Sequence, residues 1–191
     1  MPAFIPTTLK TARLTLRFIE IDDTEALFRI FSDREALRYW STGPWLHPAQ
    51  ARDNVEQTLK GYLEGETLRF GIVLSATEEL IGTATLYHFD RKNHRCDIGY
   101  MLARSQWGHG YMPEALDALI EYGFRKLELH RIEADIHPDN TASQRILERL
   151  HFRREGHLRQ RWFVHGEISD SIIYGLLRPD WNIERQKHRH R

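Results

Sequence analysis

The stretch "LARSQWGHGYMPEAL", residues 102–116, sets Gly108 and Gly110 around His109, followed by Pro113 and an apolar run. Upstream, "RCDIGYML" (95–102) reads as a strand. Downstream, Leu116, Leu119, Ile120, Gly123 and Leu127 recur at i, i+3, i+4, i+7 and i+11, the stripe of a helix. A glycine-rich turn therefore joins a strand to a helix that begins near Pro113. The first N–H groups of a helix lack partners within it, and the macrodipole makes that end positive. Glycine removes the Cβ that would hold a ligand away from the backbone. The turn is either a plain tight connection or a cradle for a phosphate or pyrophosphate. A Walker loop is excluded, because Tyr111-Met112 stands where Lys-Ser or Lys-Thr is needed. A dinucleotide fingerprint is excluded too: its third glycine would fall on Pro113, and the preceding strand reads as part of an antiparallel meander rather than a parallel βαβ unit.

Working outward, "RLTLRFIE" (13–20) alternates Leu14, Leu16 and Phe18 on one face, as a half-buried strand does. "DDTEALFRIFSD" (22–33) has helical spacing, and a second helix is expected over 48–65, with Pro48 in its first turn. "RFGIVLS" (69–75), "ELIGTATLYHF" (79–89) and 95–102 are strands with short connectors, hence antiparallel neighbours. After the helix come a strand at 131–137, a helix capped by Asn140 or by a Thr141/Gln144 capping box, and two closing strands near 155–166 and 169–177. The expected fold is α+β: a mostly antiparallel mixed sheet of about seven strands flanked by about four helices.

The chain has 191 residues, 41% of them hydrophobic, enough for one domain with a core. Twenty-seven Lys and Arg balance twenty-seven Asp and Glu. No global field draws it to nucleic acid or to an anionic membrane, so neither is an expected primary partner. A single cysteine excludes an internal disulfide. The amino-terminal segment is too polar for a signal peptide, and no run approaches the ~20 apolar residues of a membrane span. A cytoplasmic protein is expected, with one domain over 1–182 and a basic, disordered tail over 183–191 that is either a frayed end or an RNA-contacting arm.

Three segments in order resemble the GNAT family of N-acetyltransferases, in the RimJ/RimL-type branch that acetylates α-amino groups of ribosomal proteins. "DIGYMLARSQWGHGYMPEAL" resembles that branch's strand, pyrophosphate loop and helix. "HPDNTASQRILERLHFRREG" (137–156) resembles its Asn-x-x-Ser helix and exit, and "VHGEISDSIIYGLLRPDW" (164–181) its closing hairpin. The resemblance spans nearly the whole chain. It departs from the wider family at Trp107, where Arg or Gln opens the loop; at Met112, where a small residue is usual; at His151, where the helix exit has glycine; and at Leu147, where many relatives have a tyrosine acid.

The resemblance implies acetyl-CoA as cosubstrate, no metal, and direct transfer of the acetyl group to a primary amine. It implies a diphosphate lying on Trp107, Gly108, His109, Gly110, Tyr111 and Met112, and a pantetheine arm along Tyr100, Met101 and Leu102. Backbone N–H groups near Met101 and Leu102 are the candidate oxyanion donors. Asn140 is a helix cap and a pantetheine partner. Ser143, one turn after it on the same face, is the candidate proton donor to the thiolate or, alternatively, a solvent-facing serine. Asp97 occupies the position of a base in many relatives, or is a surface strand carboxylate. Asp170 is a second candidate base that more often reads as structural. Trp40, Trp45, Phe70 and Trp162 line an acceptor slot or serve as packing. The acceptor is a protein N-terminus, possible in a ribosomal protein, with a polyamine, antibiotic or amino-acid amine and a non-catalytic acyl-CoA sensor as alternatives; a homodimer is left open. The scattered histidines and Cys96 show no zinc spacing.

Overall fold

The computed structural model describes residues 3–164 and 166–189. Its chain order is β1 (Leu9–Lys10), β2 (Leu14–Phe18), α1 (Thr24–Phe31), α2 (Pro48–Glu64), β3 (Leu68–Leu74), β4 (Leu80–Asp90), β5 (Arg95–Leu102), α3 (Tyr111–Arg125), β6 (Arg131–Ile136), α4 (Thr141–Arg149), β7 (Arg153–Val164), β8 (Glu167–Leu177) and α5 (Arg178–Arg189). The strands form one sheet of eight in the order β1-β2-β3-β4-β5-β6-β8-β7. Two elements exceed the sequence expectation. The eighth strand is the two-residue β1, too short to show alternation, which exists only through its pairing with β2. The fifth helix is α5.

That helix changes the reading of the basic tail. Trp181, 4% exposed, packs on Phe124 of α3 with ring centroids 5.3 Å apart. Arg185 then pairs with Asp117 at 2.8 Å and Glu121 at 3.1 Å. The segment from residue 183 is therefore helical through Arg189; residues 190 and 191 lie outside the described residues.

β3, β4 and β5 are antiparallel neighbours, as their short connectors require. β5 is also the first strand of a βαβ crossover: it pairs parallel with β6, with α3 as the connection. The expectation that the strand before the glycine turn belongs only to a meander is corrected here. One strand serves both arrangements, because the 28-residue reach from Leu102 to Arg131 is long enough to return the chain in parallel.

The main core lies between the sheet and α3, with Leu116, Leu119, Ile120 and Phe124 fully or almost fully buried. A second cluster on the opposite face joins α1 and Val55 of α2 to Val73, Leu80 and Met101. No helix among the described residues is long and apolar enough to cross a membrane.

Candidate active site

β5 and β6 pair at only three positions, Arg95↔Arg131, Cys96↔Ile132 and Asp97↔Glu133. Beyond Asp97 β5 stays with β4 as far as Leu102, and β6 stays with β8 as far as Ile136. The two central strands thus part and leave a wedge between them. The Ala103 N–H donates to Ile81 O at 2.8 Å. Alternation back along β5 turns the N–H groups of Tyr100 and Leu102 into the wedge and that of Met101 towards β4. Of the two expected oxyanion donors, Leu102 is the one with its N–H facing the gap.

At the open end of the wedge lies the glycine turn. Gly108 and Gly110 have φ of +79° and +76°, the left-handed region. α3 starts at Tyr111, two residues before the expected Pro113, with Gly110 as its N-cap. Among the described residues, the N–H groups of Gly108, His109 and Gly110 make no backbone hydrogen bond. Trp107 pins the turn to the strand, its Nε1 donating to Leu102 O at 3.0 Å. His109 stacks on Tyr111 at 5.6 Å. The Met112 side chain is 5% exposed and points into the core, so its bulk does not cover the loop. Orphan donors over a strand edge and a Cβ-free bend fit the diphosphate and pantetheine of a CoA thioester.

α4 brings Ser143 to the Tyr100 hydroxyl of β5. Asn140 is its N-cap: Oδ1 accepts from the Ser143 N–H at 3.1 Å. The Thr141/Gln144 capping box does not form, because Gln144 Nε2 donates to Pro138 O instead. Ser143 is half-buried and faces the Tyr100 hydroxyl. That hydroxyl is sealed from solvent and makes no hydrogen bond of regular geometry. Burial pushes the Tyr100 phenol up to about 12, with Ser143 opposing the shift. Leu147 is fully buried in the core. His151 takes φ +67°, the left-handed exit that glycine would adopt at less cost.

On the α1/α2 face, β4 and β5 set Tyr87 opposite Asp97 and Thr85 opposite Gly99. Tyr87 lies over Gly99, where an added Cβ would meet its ring at 3.2 Å. Asp97, with a quarter of its side chain exposed, is bonded to His88 at 2.9 Å. Asp135 of β6 accepts from Arg161 Nε at 2.7 Å and Trp162 Nε1 at 3.3 Å, and Tyr39 stacks on His137 at 5.1 Å.

The four expected acceptor aromatics separate. Trp162 is held by Asp135. Trp40 and Trp45 pack on Phe31, at 6.1 and 4.7 Å, against the second hydrophobic cluster. Phe70 is corrected: it is 0% exposed, set against Phe18 and Tyr122, and a side chain sealed in the core cannot line an open slot. Asp170 binds His157 at 2.7 Å and accepts from the Gln160 N–H at 2.8 Å. These contacts hold a bulge in β7, and backbone and histidine hydrogen bonds keep its pKa low. Sequence reasoning missed Tyr39, Tyr87, His88, Asp135, Arg161 and Arg13. The glycine pair pointed to the loop whose His109 O accepts from Arg13 Nη1 at 2.9 Å, but no local pattern pointed to the others.

The acetyltransferase (GNAT) domain model matches residues 13–153. The chain is similar to the uncharacterised N-acetyltransferase p20 of Bacillus licheniformis, 40% identical over 91% of this chain and 98% of that protein. It is 29% identical to the [ribosomal protein uS5]-alanine N-acetyltransferase of Escherichia coli K12, over 91% and 92%. A GNAT-family acetyltransferase structure from Bacillus anthracis superposes with a TM-score of 0.80 at 28% identity, covering 90% of this chain and 98% of that one.

Proposed function

Because the chain belongs to the GNAT acetyltransferase family, we propose that it moves the acetyl group of acetyl-CoA directly to the N-terminal α-amino group of a protein. The observation that carries this reading is the wedge between β5 and β6, with a glycine-lined helix start beside it. In this reading the diphosphate lies on the loop from Trp107 to Met112. The pantetheine pairs with Tyr100 and Leu102 and with Asn140. The Leu102 N–H stabilises the oxyanion that forms when the amine attacks the thioester carbonyl. Ser143 supplies the proton that leaves with the CoA sulfur, and Tyr100, kept neutral by burial, supports it. Asp97 steadies the incoming ammonium.

The α-amino acceptor is supported by similarity to an enzyme named for ribosomal protein uS5 alanine. A ribosomal protein N-terminus in the cytoplasm is the acceptor we favour. A polyamine is the second reading, favoured by the Asp97 carboxylate on the α1/α2 face.

Thiol release from acetyl-CoA, followed with peptides bearing free or blocked N-termini and with polyamines, tests both. Turnover with free N-terminal peptides alone is expected. Turnover confined to polyamines, or none with any amine, would overturn the primary reading.

A further inference from the structure

β4 breaks its own alternation at one residue. Thr83, Thr85 and Tyr87 face one side, opposite Met101, Gly99 and Asp97 of β5, and the register then slips between Tyr87 and Asp90. His88 sits in the slip with φ +50°. For a residue with a Cβ this left-handed conformation costs on the order of 1 kcal/mol or more. Regular alternation would turn His88 away from Tyr87's face. Instead its ring meets Tyr87 at 4.6 Å, and its Nδ1 lies 2.9 Å from Asp97 Oδ2. The side chain is 75% exposed. Where Asp97 is ionised it can only accept, so Nδ1 is the donor of this contact and the Nε2 of a neutral ring is left to accept a proton.

We propose that His88 is the general base of the reaction, with Asp97 as the group that holds its tautomer and orientation. This rests on the acetyl-transfer reading above. The acceptor arrives as an ammonium and loses two protons on becoming an amide. One passes, through water, to His88 Nε2 and then to solvent. The other leaves the nitrogen of the tetrahedral intermediate for Ser143 Oγ as Ser143 passes its own proton to the CoA thiolate, so the serine ends neutral. Ammonium and thioester thus give amide, thiol and one proton. A carboxylate, titrating ordinarily near ~4, is poorly matched to an α-ammonium near ~8, whereas imidazole is the side chain whose ordinary pKa lies between.

The other charged and titratable groups around His88 do not compete for this role. Burial pushes the Tyr87 phenol up to about 12, so it stays neutral. Asp135 is taken by Arg161 and Trp162. Glu133 is held by Arg131 and Arg95, and Asp90 by Asn93 and Arg95.

The test uses His88→Gly, which suits the left-handed backbone and opens a space for free imidazole. In the unaltered protein, kcat/KM should fall on the acid side through a break between about pH 5 and 8. His88→Gly should lose that break, turn over about 10²-fold more slowly at neutral pH, and regain rate with added imidazole. Melting temperature and acetyl-CoA affinity, measured alongside, should stay close to those of the unaltered protein. A persisting break, or no rescue in a folded variant that binds acetyl-CoA, overturns the assignment while leaving acetyl transfer intact. A pH titration of the His88 imidazole by NMR in the unaltered protein should match the kinetic break, and a mismatch also overturns it. Absence of turnover by the unaltered protein overturns the underlying reading instead.

Discussion

Arg13 and Glu114, 101 residues apart, hold the bend between β1 and β2 to the first turn of α3: Arg13 Nε donates to Glu114 Oε2 at 2.7 Å, and the Arg13 backbone N–H donates to Oε1 at 2.9 Å. Thr11 adds a third bond to the same carboxylate at 2.6 Å. The guanidinium continues to His109 O at 2.9 Å and lies over the Tyr111 ring at 4.6 Å. The glycine loop is thereby braced from the opposite end of the chain.

Replacing Arg13 by Ala should loosen the loop before any ligand arrives. Losing one charge-assisted hydrogen bond to the His109 carbonyl is worth about 1.5–3 kcal/mol, so acetyl-CoA affinity should fall about tenfold or more. Calorimetric titration measures it. Unchanged affinity would mean that the brace serves only the fold.

Gly110→Ala separates backbone from crowding. The new Cβ would lie 3.5 Å from Arg13 Nη2, an ordinary contact, so its cost comes from φ +76°. About 1–2 kcal/mol of strain is expected, visible as a lower melting temperature and weaker acetyl-CoA binding. Gly108→Ala should behave alike, since nothing lies within 4 Å of its Cβ position.

Tyr100→Phe and Ser143→Ala should part company in stability and agree in kinetics. Removing a buried hydroxyl that has no regular hydrogen bond leaves the apo protein as stable or more so. Both variants should lower kcat, Ser143→Ala by about 10²-fold, with acetyl-CoA affinity changed far less. A full rate in Ser143→Ala would remove it from the proton-donor role.

Acid should weaken the brace. Burial alone would raise the Glu114 pKa, but hydrogen bonds from Thr11 and Arg13 outweigh it and hold the group below its ordinary 4.5. A carboxylate with a depressed folded pKa stabilises the fold above its unfolded value and loses that contribution as pH falls through the folded one. The melting temperature should therefore hold from pH 7 to about 5 and drop below about 4.5, and Glu114→Gln should flatten part of that drop.

The strand–glycine–helix unit was legible because Gly108, Gly110 and the helix after them stand within one stretch, and Asn140 and Ser143 were seen to share one turn; the roles proposed for them came from the family resemblance. Phe70 misled because alternation along a strand says which residues share a face, not which face is roofed by a helix. α5 was missed because its polar composition hides one anchoring residue, Trp181, whose partner Phe124 lies far away in sequence.

The sequence by itself determined the strand–glycine–helix unit, the order of elements and the family resemblance, because hydrophobic period and glycine placement act through neighbouring residues. The tertiary structure alone decided how far β5 and β6 separate, that Arg13 braces the loop, and that His88 is turned onto Asp97. Those outcomes depend on register slips and on contacts between distant segments, and their energies exist only once the sheet has closed.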